Sequence, residues 1–375
     1  MTVIEADPNL RFMDAMAEFA IDESRQHVIR SLLSEVKAPE GLDAENKREW
    51  ELRERERIQD LDFGSAKTEL TDIGYGTSYY DELTPEVVVH IQDEPQIDPD
   101  LDARNAFLGN LIVENGHAEY DRVTSGVFEA HPVFREWKNI WVAEEKPHGD
   151  AMEHWAWATG YVDMKEVHAI TQGYLRKGLT LDFKTPAHGM AYPALQERAT
   201  ELTHMQVMTT LPKASESIAA STGRDMMARI IANERGHKKF YSAMVRHALE
   251  SGDPEIASMQ MLALGEALMG FAMPGMDSDI PRREEITKSY EASGVFSYGK
   301  LATDVLLPAI DGAGTFNWDV ENVTDLTDEA KRVRDDIVAF SGLLKAAKEL
   351  DDPHRRDRKL KVALLKAHRQ YGRLA

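Results

Sequence analysis

The sequence of 375 residues contains no cysteine. This absence excludes disulfide bonds, thiolate nucleophiles, iron–sulfur clusters and zinc sites built from thiolates. Any metal ion would therefore have to be bound by histidine and carboxylate side chains. Basic residues are also scarce, because 44 lysines and arginines stand against 65 aspartates and glutamates and leave a formal net charge of −21. This surplus of negative charge argues against non-specific binding to nucleic acid or to an anionic membrane.

Long apolar runs are absent as well. The most apolar stretch, residues 258–273, is interrupted by Gln260 and Glu266, and it falls short of the roughly 18 consecutive apolar residues expected of a membrane-spanning helix. Residues 1–10 lack the basic region followed by an apolar one that marks a signal peptide. We therefore expect a cytoplasmic protein without membrane insertion.

The pattern of apolar residues is helical along most of the chain, and no alternating β-branched run is long enough to predict a sheet. A loop containing Gly74 and Gly76 is expected before an acidic segment, in which Asp100 is predicted to cap the next helix. The sequence therefore predicts an all-α fold. The predicted helices span residues 10–36, 46–61, 101–128, 132–160, 164–178, 193–219, 225–251, 254–273, 299–307, 327–350 and 354–373.

A four-residue motif, Glu-x-x-His, recurs inside the predicted helices. Chance alone supplies about one such match in a chain of this composition, so four matches are informative. Residues three apart share one face of a helix, so both side chains of a pair can reach the same metal ion. The four pairs are Glu114/His117, Glu145/His148, Glu201/His204 and Glu234/His237.

The order of these pairs agrees with one known metal architecture. In ferritin-like di-iron proteins, two helices of a four-helix bundle each supply one glutamate and the other two each supply Glu-x-x-His. Carboxylate ligands with one imidazole per metal suit iron or manganese better than zinc or copper. The chain order allows the set Glu114, Glu145, His148, Glu197, Glu234 and His237.

The residues around this set show a more specific resemblance. Residues 141–150 read WVAEEKPHGD, 196–200 read QERAT, 232–237 read ANERGH, 111–114 read LIVE with a tyrosine at 120, and 160–164 read GYVDM. In this order and spacing they resemble the segments WTAEENRHGD, QERAT, ADEKRH, MITEEALPTY and GRVDM of the soluble acyl-[acyl-carrier-protein] desaturases. The likeness runs from about residue 107 to residue 273, with a weaker echo from Ser293 onward.

The resemblance implies a ferritin-like four-helix bundle with additional N- and C-terminal helices and two iron ions per chain. It makes the six side chains named above the metal ligands, and it places Thr200 in the oxygen-binding pocket as the candidate catalytic residue. The implied reaction uses O₂ to remove two hydrogens from an acyl chain on an acyl carrier protein and leaves a C=C bond. It further implies a ferredoxin or a similar electron donor and a homodimer.

The chain departs from the family pattern at two positions. Asn233 stands where the family has an aspartate that supports a ligand histidine, and changes of this kind alter metal affinity or activity roughly 10- to 100-fold. Pro147 lies inside the Glu145–His148 pair and predicts a kink. Desaturation is the first prediction, and a di-iron hydroxylase or oxidase of a biosynthetic intermediate with the same metal centre is the alternative.

Two other di-iron classes fit less well. N-oxygenases of this type carry a further histidine ligand four residues before the last glutamate, where this chain has Ile230. Storage cages are built from subunits of about half this length. The remaining Glu-x-x-His members, His117 and Glu201/His204, are expected to support the site or line its channel. Most of the tryptophans of residues 137–157 are expected in the core.

The C-terminal segment has the opposite charge balance from the rest of the chain. Between residues 355 and 373 a single acid, Asp357, stands among eight basic residues, which are Arg355, Arg356, Arg358, Lys359, Lys361, Lys366, Arg369 and Arg373. Such a helix either balances the acidic N-terminal part or docks an acidic carrier protein. We therefore divide the chain into an N-terminal helical, acidic extension (1–100), a di-iron bundle (101–273) and C-terminal helices with a basic tail (274–375), all within one structural domain.

Overall fold

The computed structural model describes residues 7–38, 43–59, 83–178, 181–213, 217–271, 282–311 and 316–371. These residues form helices and contain no strand, which confirms the predicted all-α, ferritin-like fold. None of the described helices is both long enough and apolar enough to cross a membrane. The predicted loop around Gly74 and Gly76, and Arg373 of the basic segment, lie outside the described residues.

The α-helices are numbered in chain order. They are α1 Pro8–Glu35, α2 Ala44–Gln59, α3 Pro85–Asp93, α4 Leu101–Glu114, α5 His117–Phe128, α6 Pro132–Thr159, α7 Met164–Lys177, α8 Pro186–Thr210, α9 Ile218–Leu249, α10 Pro254–Gly270, α11 Arg283–Ala292, α12 Tyr298–Lys300, α13 Leu307–Ile310, α14 Asp328–Lys348 and α15 Pro353–Tyr371. A π-helical stretch, Leu301–Leu306, joins α12 to α13, and a 3₁₀ turn, Val320–Asn322, precedes α14.

Four helices, α4, α6, α8 and α9, pack around the centre of the molecule, where α8 and α9 make the most extensive contact. For three of these helices, residues in the local sequence favour the observed start. Asp100 caps α4, as predicted, by accepting a hydrogen bond from the backbone N–H of Ala103 at 2.9 Å, and α6 and α8 begin with proline, which suits a first helical turn. The core contains Trp137, Trp141 and Trp155, whereas Trp157 is 53% exposed.

The predicted helix 101–128 is wrong in one respect, because it breaks after Glu114. Asn115 and Gly116 form a turn between α4 and α5. A Cβ atom at residue 116 would lie 2.4 Å from the ring of Tyr174, so only glycine allows α7 to pack this closely. Glu114 therefore stands at the C-terminal end of its helix.

Other boundaries also differ from the predictions. Helix α8 begins at Pro186, not at Pro193, which lies inside the helix and gives up only the hydrogen bond to the carbonyl of Gly189. Helix α6 continues through Pro147. The sequence analysis missed α3 and α11, which are short.

The flanking helices cover the bundle on several sides. Helix α1 packs on α9 and α6, α11 packs on α4, and α14 and α15 pack on α10, which itself packs on α8. The division into three segments at residues 100 and 273 stays a prediction.

Candidate metal centre

The six predicted ligands come from the four central helices. Glu114 ends α4, and Glu197 lies on α8. Glu145 and His148 lie one helical turn apart on α6, and Glu234 and His237 lie one helical turn apart on α9. All six are buried, and none is more than 7% exposed. Their ligand atoms form two overlapping groups, each with all members within 4.8 Å of one another. The first group is Glu114, Glu145, His148 and Glu234, and the second is Glu145, Glu197, Glu234 and His237.

In the first group, Nδ1 of His148 is surrounded by carboxylates. It lies 3.2 Å from Oε1 of Glu234, 3.5 Å from Oε2 of Glu114 and 3.7 Å from Oε2 of Glu145. Nitrogen and oxygen atoms at these separations can converge on one ion at the usual distances of about 2 Å.

The second group has the same composition around the other histidine. Nδ1 of His237 lies 2.8 Å from Oε1 of Glu145 and 3.7 Å from Oε2 of Glu197. Glu145 and Glu234 belong to both groups, so each can bridge two ions. Glu114 and Glu197 each belong to one group.

The electrostatics of the cluster favour a bound cation. Burial and the nearby carboxylates of Glu145 and Glu197 raise the pKa of Glu234 well above its ordinary value. Burial also raises the pKa of Glu145, with Glu197 adding to the effect. Within the described residues, neither carboxylate oxygen of Glu234 accepts a well-aligned hydrogen bond, although Oε1 lies 3.2 Å from Nδ1 of His148. Several buried carboxylates this close together are costly unless cations neutralise them, so these residues fit a pair of divalent ions.

Each histidine is held on its far side by the helix that carries the other one. Asn233, which precedes Glu234 on α9, lies with Oδ1 2.8 Å from Nε2 of His148 on α6. Glu144, which precedes Glu145 on α6, lies with Oε2 2.8 Å from Nε2 of His237 on α9. The two supports differ in charge, because one is an amide and the other a carboxylate.

Glu144 lies against the candidate centre, and the sequence analysis missed it. Burial opposes its ionisation, but His27 and His237 outweigh burial and hold its pKa well below the ordinary range. A signal was available, because Glu144 and Asn233 occupy the same place before the two Glu-x-x-His pairs.

His204 is a neighbour of the centre and belongs to neither group. Its Nε2 lies 2.9 Å from Oε1 of Glu114, and Asn110 lies 3.0 Å from its Nδ1. Tyr290 of α11 donates a hydrogen bond to Oδ1 of Asn110 at 2.8 Å. Burial opposes ionisation of Glu114, yet hydrogen bonds from His148 and His204 lower its pKa to about 2. The expected supporting role of His204 agrees with this placement.

The other extra members of the motif lie apart from the centre. His117 begins α5 outside both groups. Glu201 is buried but faces cations, accepting hydrogen bonds from Lys238 at 2.6 Å and from Arg198 and Arg235 at 2.8 Å each. Glu201 therefore belongs to an ion cluster between α8 and α9, apart from the candidate metal ligands.

Thr200 lies one turn from Glu197 on α8 and is buried. Its hydroxyl donates to the carbonyl of Gln196 at 2.9 Å. It also lines a small cavity of about 10 Å³, which is room for about one water molecule. The cavity is lined by Asn110, Val113, Glu114, Thr200, Thr203, His204, Tyr290 and Phe296.

Trp141 connects the aromatic core to the centre, since its indole N–H donates to Oε1 of Glu197 at 3.1 Å. Trp137 stacks on Phe240 at 3.4 Å and packs edge-on against His237. These contacts fix the side chains around the second group and confirm that most of these tryptophans pack in the core.

Comparison with known proteins finds desaturases among the relatives of this chain. The chain is 26% identical over 283 residues to acyl-[acyl-carrier-protein] desaturase 4, chloroplastic, of Oryza sativa subsp. japonica, covering 69% of this chain and 62% of the relative. It is 27% identical over 245 residues to the acyl-[acyl-carrier-protein] 6-desaturase of Thunbergia alata, covering 61% and 59%. It is 25% identical over 220 residues to stearoyl-[acyl-carrier-protein] 9-desaturase 1, chloroplastic, of Arabidopsis thaliana, covering 57% and 52%. The chain thus spans between half and two thirds of the length of these relatives.

The sequence model of the family described as "Fatty acid desaturase" matches residues 88–366. This match covers most of the chain and includes all four helices that carry the candidate ligands. The chain therefore belongs to the fatty acid desaturase family.

Proposed function

We propose that the protein is an O₂-dependent di-iron desaturase that acts on an acyl chain bound to an acyl carrier protein. The observation that carries this proposal is the pair of overlapping four-residue groups that share Glu145 and Glu234. The names of the relatives supply the substrate class, which comes to this chain as a proposal.

Glu114, Glu145, His148 and Glu234 would hold one iron ion, and Glu145, Glu197, Glu234 and His237 the other. When bound, such a pair supplies reductive activation of O₂ for attack on an unactivated C–H bond. The balanced reaction converts CH₂–CH₂ to CH=CH, consumes one O₂, two electrons and two protons, and releases two waters.

The protein's own part is to hold the ligands and to exclude bulk water. Every candidate ligand is buried, so competing hydrolysis and loss of the oxidant to solvent are suppressed. Thr200 lines the small cavity beside Glu114, and its hydroxyl can hold or pass a proton there by turning from the Gln196 carbonyl. We therefore assign Thr200 to proton delivery.

The carrier would dock on the exposed basic face of α15. Arg355, Arg358, Lys359, Lys366 and Arg369 are exposed on this helix, and none of them has an ion pair within the described part of the chain. Helix α15 packs on α10 and α10 packs on α8, so one helix lies between the docking helix and the helix that carries Glu197.

Further components complete the proposal. The reaction needs an electron donor, which we take to be a ferredoxin or a similar protein, and we propose a cytoplasmic homodimer by analogy with the family.

The test is product analysis of the iron-loaded protein. Incubation with acyl carriers of several chain lengths, O₂ and reduced ferredoxin should give a product lighter by two hydrogens. Omission of O₂ or of iron should abolish it. Absence of bound iron after reconstitution, or no conversion of any acyl carrier, would contradict the proposal.

A di-iron hydroxylase or oxidase of a biosynthetic intermediate is the second candidate. It is favoured by Asn233, which places a neutral amide where the desaturase segments carry a carboxylate. The same assay separates the two, because hydroxylation adds one oxygen to the product.

A further inference from the structure

His27, on α1, lies beside the candidate metal centre although it is distant from it in sequence. Its Nε2 is 2.6 Å from Oε2 of Glu144, and the same oxygen is 2.8 Å from Nε2 of His237. All three side chains are nearly inaccessible, at 2% exposure or less. One carboxylate oxygen thus joins two imidazole rings in the interior.

The two rings also stack. The centroids of His27 and His237 are 5.4 Å apart with 26° between the ring planes, and Trp137 packs edge-on against His27 at 5.1 Å. Because the tryptophan and the second ring restrict its rotation, His27 has little freedom to leave Glu144.

Gly236 makes this approach possible. A Cβ atom at residue 236 would lie 2.9 Å from Cε1 and 3.1 Å from Nδ1 of His27, so any side chain there would push the ring away. The segment ANERGH carries this glycine where the resembling desaturase segment ADEKRH carries an arginine. His27 itself lies outside residues 88–366, the part matched by the family. The contact therefore belongs to this chain's own sequence and is not implied by the family match.

The arrangement also makes the two histidines unequal. His237 is supported by a carboxylate that a second imidazole holds in place, whereas His148 is supported by the amide of Asn233. A carboxylate that accepts from Nε2 fixes the tautomer of a ligand histidine, directs its Nδ1 toward the metal and makes that nitrogen a stronger donor. Support of this kind typically changes metal affinity 10- to 100-fold.

We propose that His27 is a positioning residue for His237, acting through Glu144, and that it makes the metal position formed by Glu145, Glu197, Glu234 and His237 the tighter of the two. This inference rests on the proposed di-iron function, because it assumes that these groups bind metal. It adds that α1 contributes a residue beside the metal centre, and that the His237 position binds metal before the His148 position.

The test is anaerobic titration of the metal-free full-length protein with Co²⁺, whose absorption bands report ligand geometry, and with Fe²⁺. Wild type should bind in two resolved steps. His27→Leu keeps the packing volume but removes the donor, and it should weaken the first step about 10- to 100-fold and alter its Co²⁺ spectrum. His27→Gln, whose amide can donate to Glu144, should restore affinity to within a few-fold. Gly236→Ala should reproduce the effect of His27→Leu.

His247→Ala is the matched control. His247 stacks on Phe19 at 4.1 Å across the same α1–α9 interface but contacts no candidate ligand, so both steps should be unchanged. Equal weakening of both steps by His27→Leu, or an unchanged first step, would overturn the inference. Failure of wild type to bind any metal would instead contradict the proposed function. If His27→Leu does not fold, the comparison of His27→Gln with Gly236→Ala decides, because His27→Gln keeps a donor to Glu144 whereas Gly236→Ala moves the donor away from it.

Discussion

Nε2 of His148 lies 2.8 Å from the amide oxygen of Asn233, and both side chains are buried. An amide oxygen accepts a hydrogen bond but carries no charge, so it orients the ring without the added basicity that a carboxylate supplies. Removal of the acceptor by Asn233→Leu should weaken Fe²⁺ binding at the His148 position about 10-fold or more. Asn233→Asp keeps the acceptor and should bind at least as tightly as wild type. Calorimetric titration measures both, and equal affinities for Leu and Asn at this position would contradict the role.

The sharing of Glu145 and Glu234 between the two groups predicts different metal stoichiometries for different substitutions. Glu114→Ala removes a ligand from one group only and should leave about one iron per chain. Glu234→Ala removes a ligand from both groups and should leave almost none. Iron content by elemental analysis after reconstitution checks this, and circular dichroism confirms that each variant is folded. Equal losses in the two variants would contradict the assignment of Glu234 as a bridge.

The metal-free protein should become more stable when a central carboxylate is neutralised. Burial and the charges of Glu145 and Glu197 raise the pKa of Glu234, so its ionised form destabilises the folded state. At neutral pH, Glu234→Gln should therefore raise the Tm of the metal-free protein.

Iron should reverse this ranking. It should raise the Tm of wild type by mass action and leave that of Glu234→Gln almost unchanged. Glu49→Gln, on the exposed face of α2, is the control and should behave like wild type. A lower Tm for metal-free Glu234→Gln than for metal-free wild type would show that the ionised Glu234 carboxylate does not destabilise the folded state.

The ion cluster around Glu201 predicts a dependence of stability on acid. Burial opposes ionisation of Glu201, but Lys238, Arg235 and Arg198 outweigh it and lower its pKa from 4.5 to about 2. Because the folded-state pKa is depressed, this carboxylate stabilises the fold above about pH 4.5 and loses that effect as the pH falls toward 2. Glu201→Gln leaves Lys238 buried without its counter-charge and should cost about 3 kcal/mol at neutral pH. Urea unfolding from pH 7 to pH 3 should show the difference from wild type shrinking, and a constant difference would contradict the assignment.

The basic face of α15 predicts salt-sensitive carrier binding. Neutralisation of Arg355, Arg356 and Arg358 to glutamine should raise the Kd for an acyl carrier protein about 10-fold at low salt, with less effect at high salt because exposed charges are screened. Surface plasmon resonance at several salt concentrations measures this. The control replaces Lys47, Arg48 and Arg55 of α2 by glutamine, which changes the net charge equally. An unchanged Kd in the α15 variant would contradict the docking proposal.

The sequence predicted the helical fold and all six side chains at the centre, because both depend on short-range patterns. Residues three apart on one helix face the same way wherever the helix lies, so Glu145/His148 and Glu234/His237 were visible as pairs. The flanking residues then fixed which glutamates complete the set. The ligand roles of these residues, and that of Thr200, stay predictions until metal is measured.

The parts that the sequence did not predict depend on contacts between distant segments. His27 and Glu144 are 117 residues apart, and no local pattern joins them. The break after Glu114 depends on Tyr174, which packs where a side chain at Gly116 would stand. The start of α8 at Pro186 was missed because Pro193 looked like a first-turn proline, although the bundle tolerates it inside the helix.

Helix α1 also bears on how this protein divides into separable parts. A polypeptide trimmed to the family-matched residues, 88–366, would retain every candidate ligand and yet lose His27. Glu144 would then face an opened groove between α6 and α9, where water could compete for the oxygen that holds His237. We therefore expect the smallest unit with an intact metal pocket to be larger than the family-matched residues and to include α1.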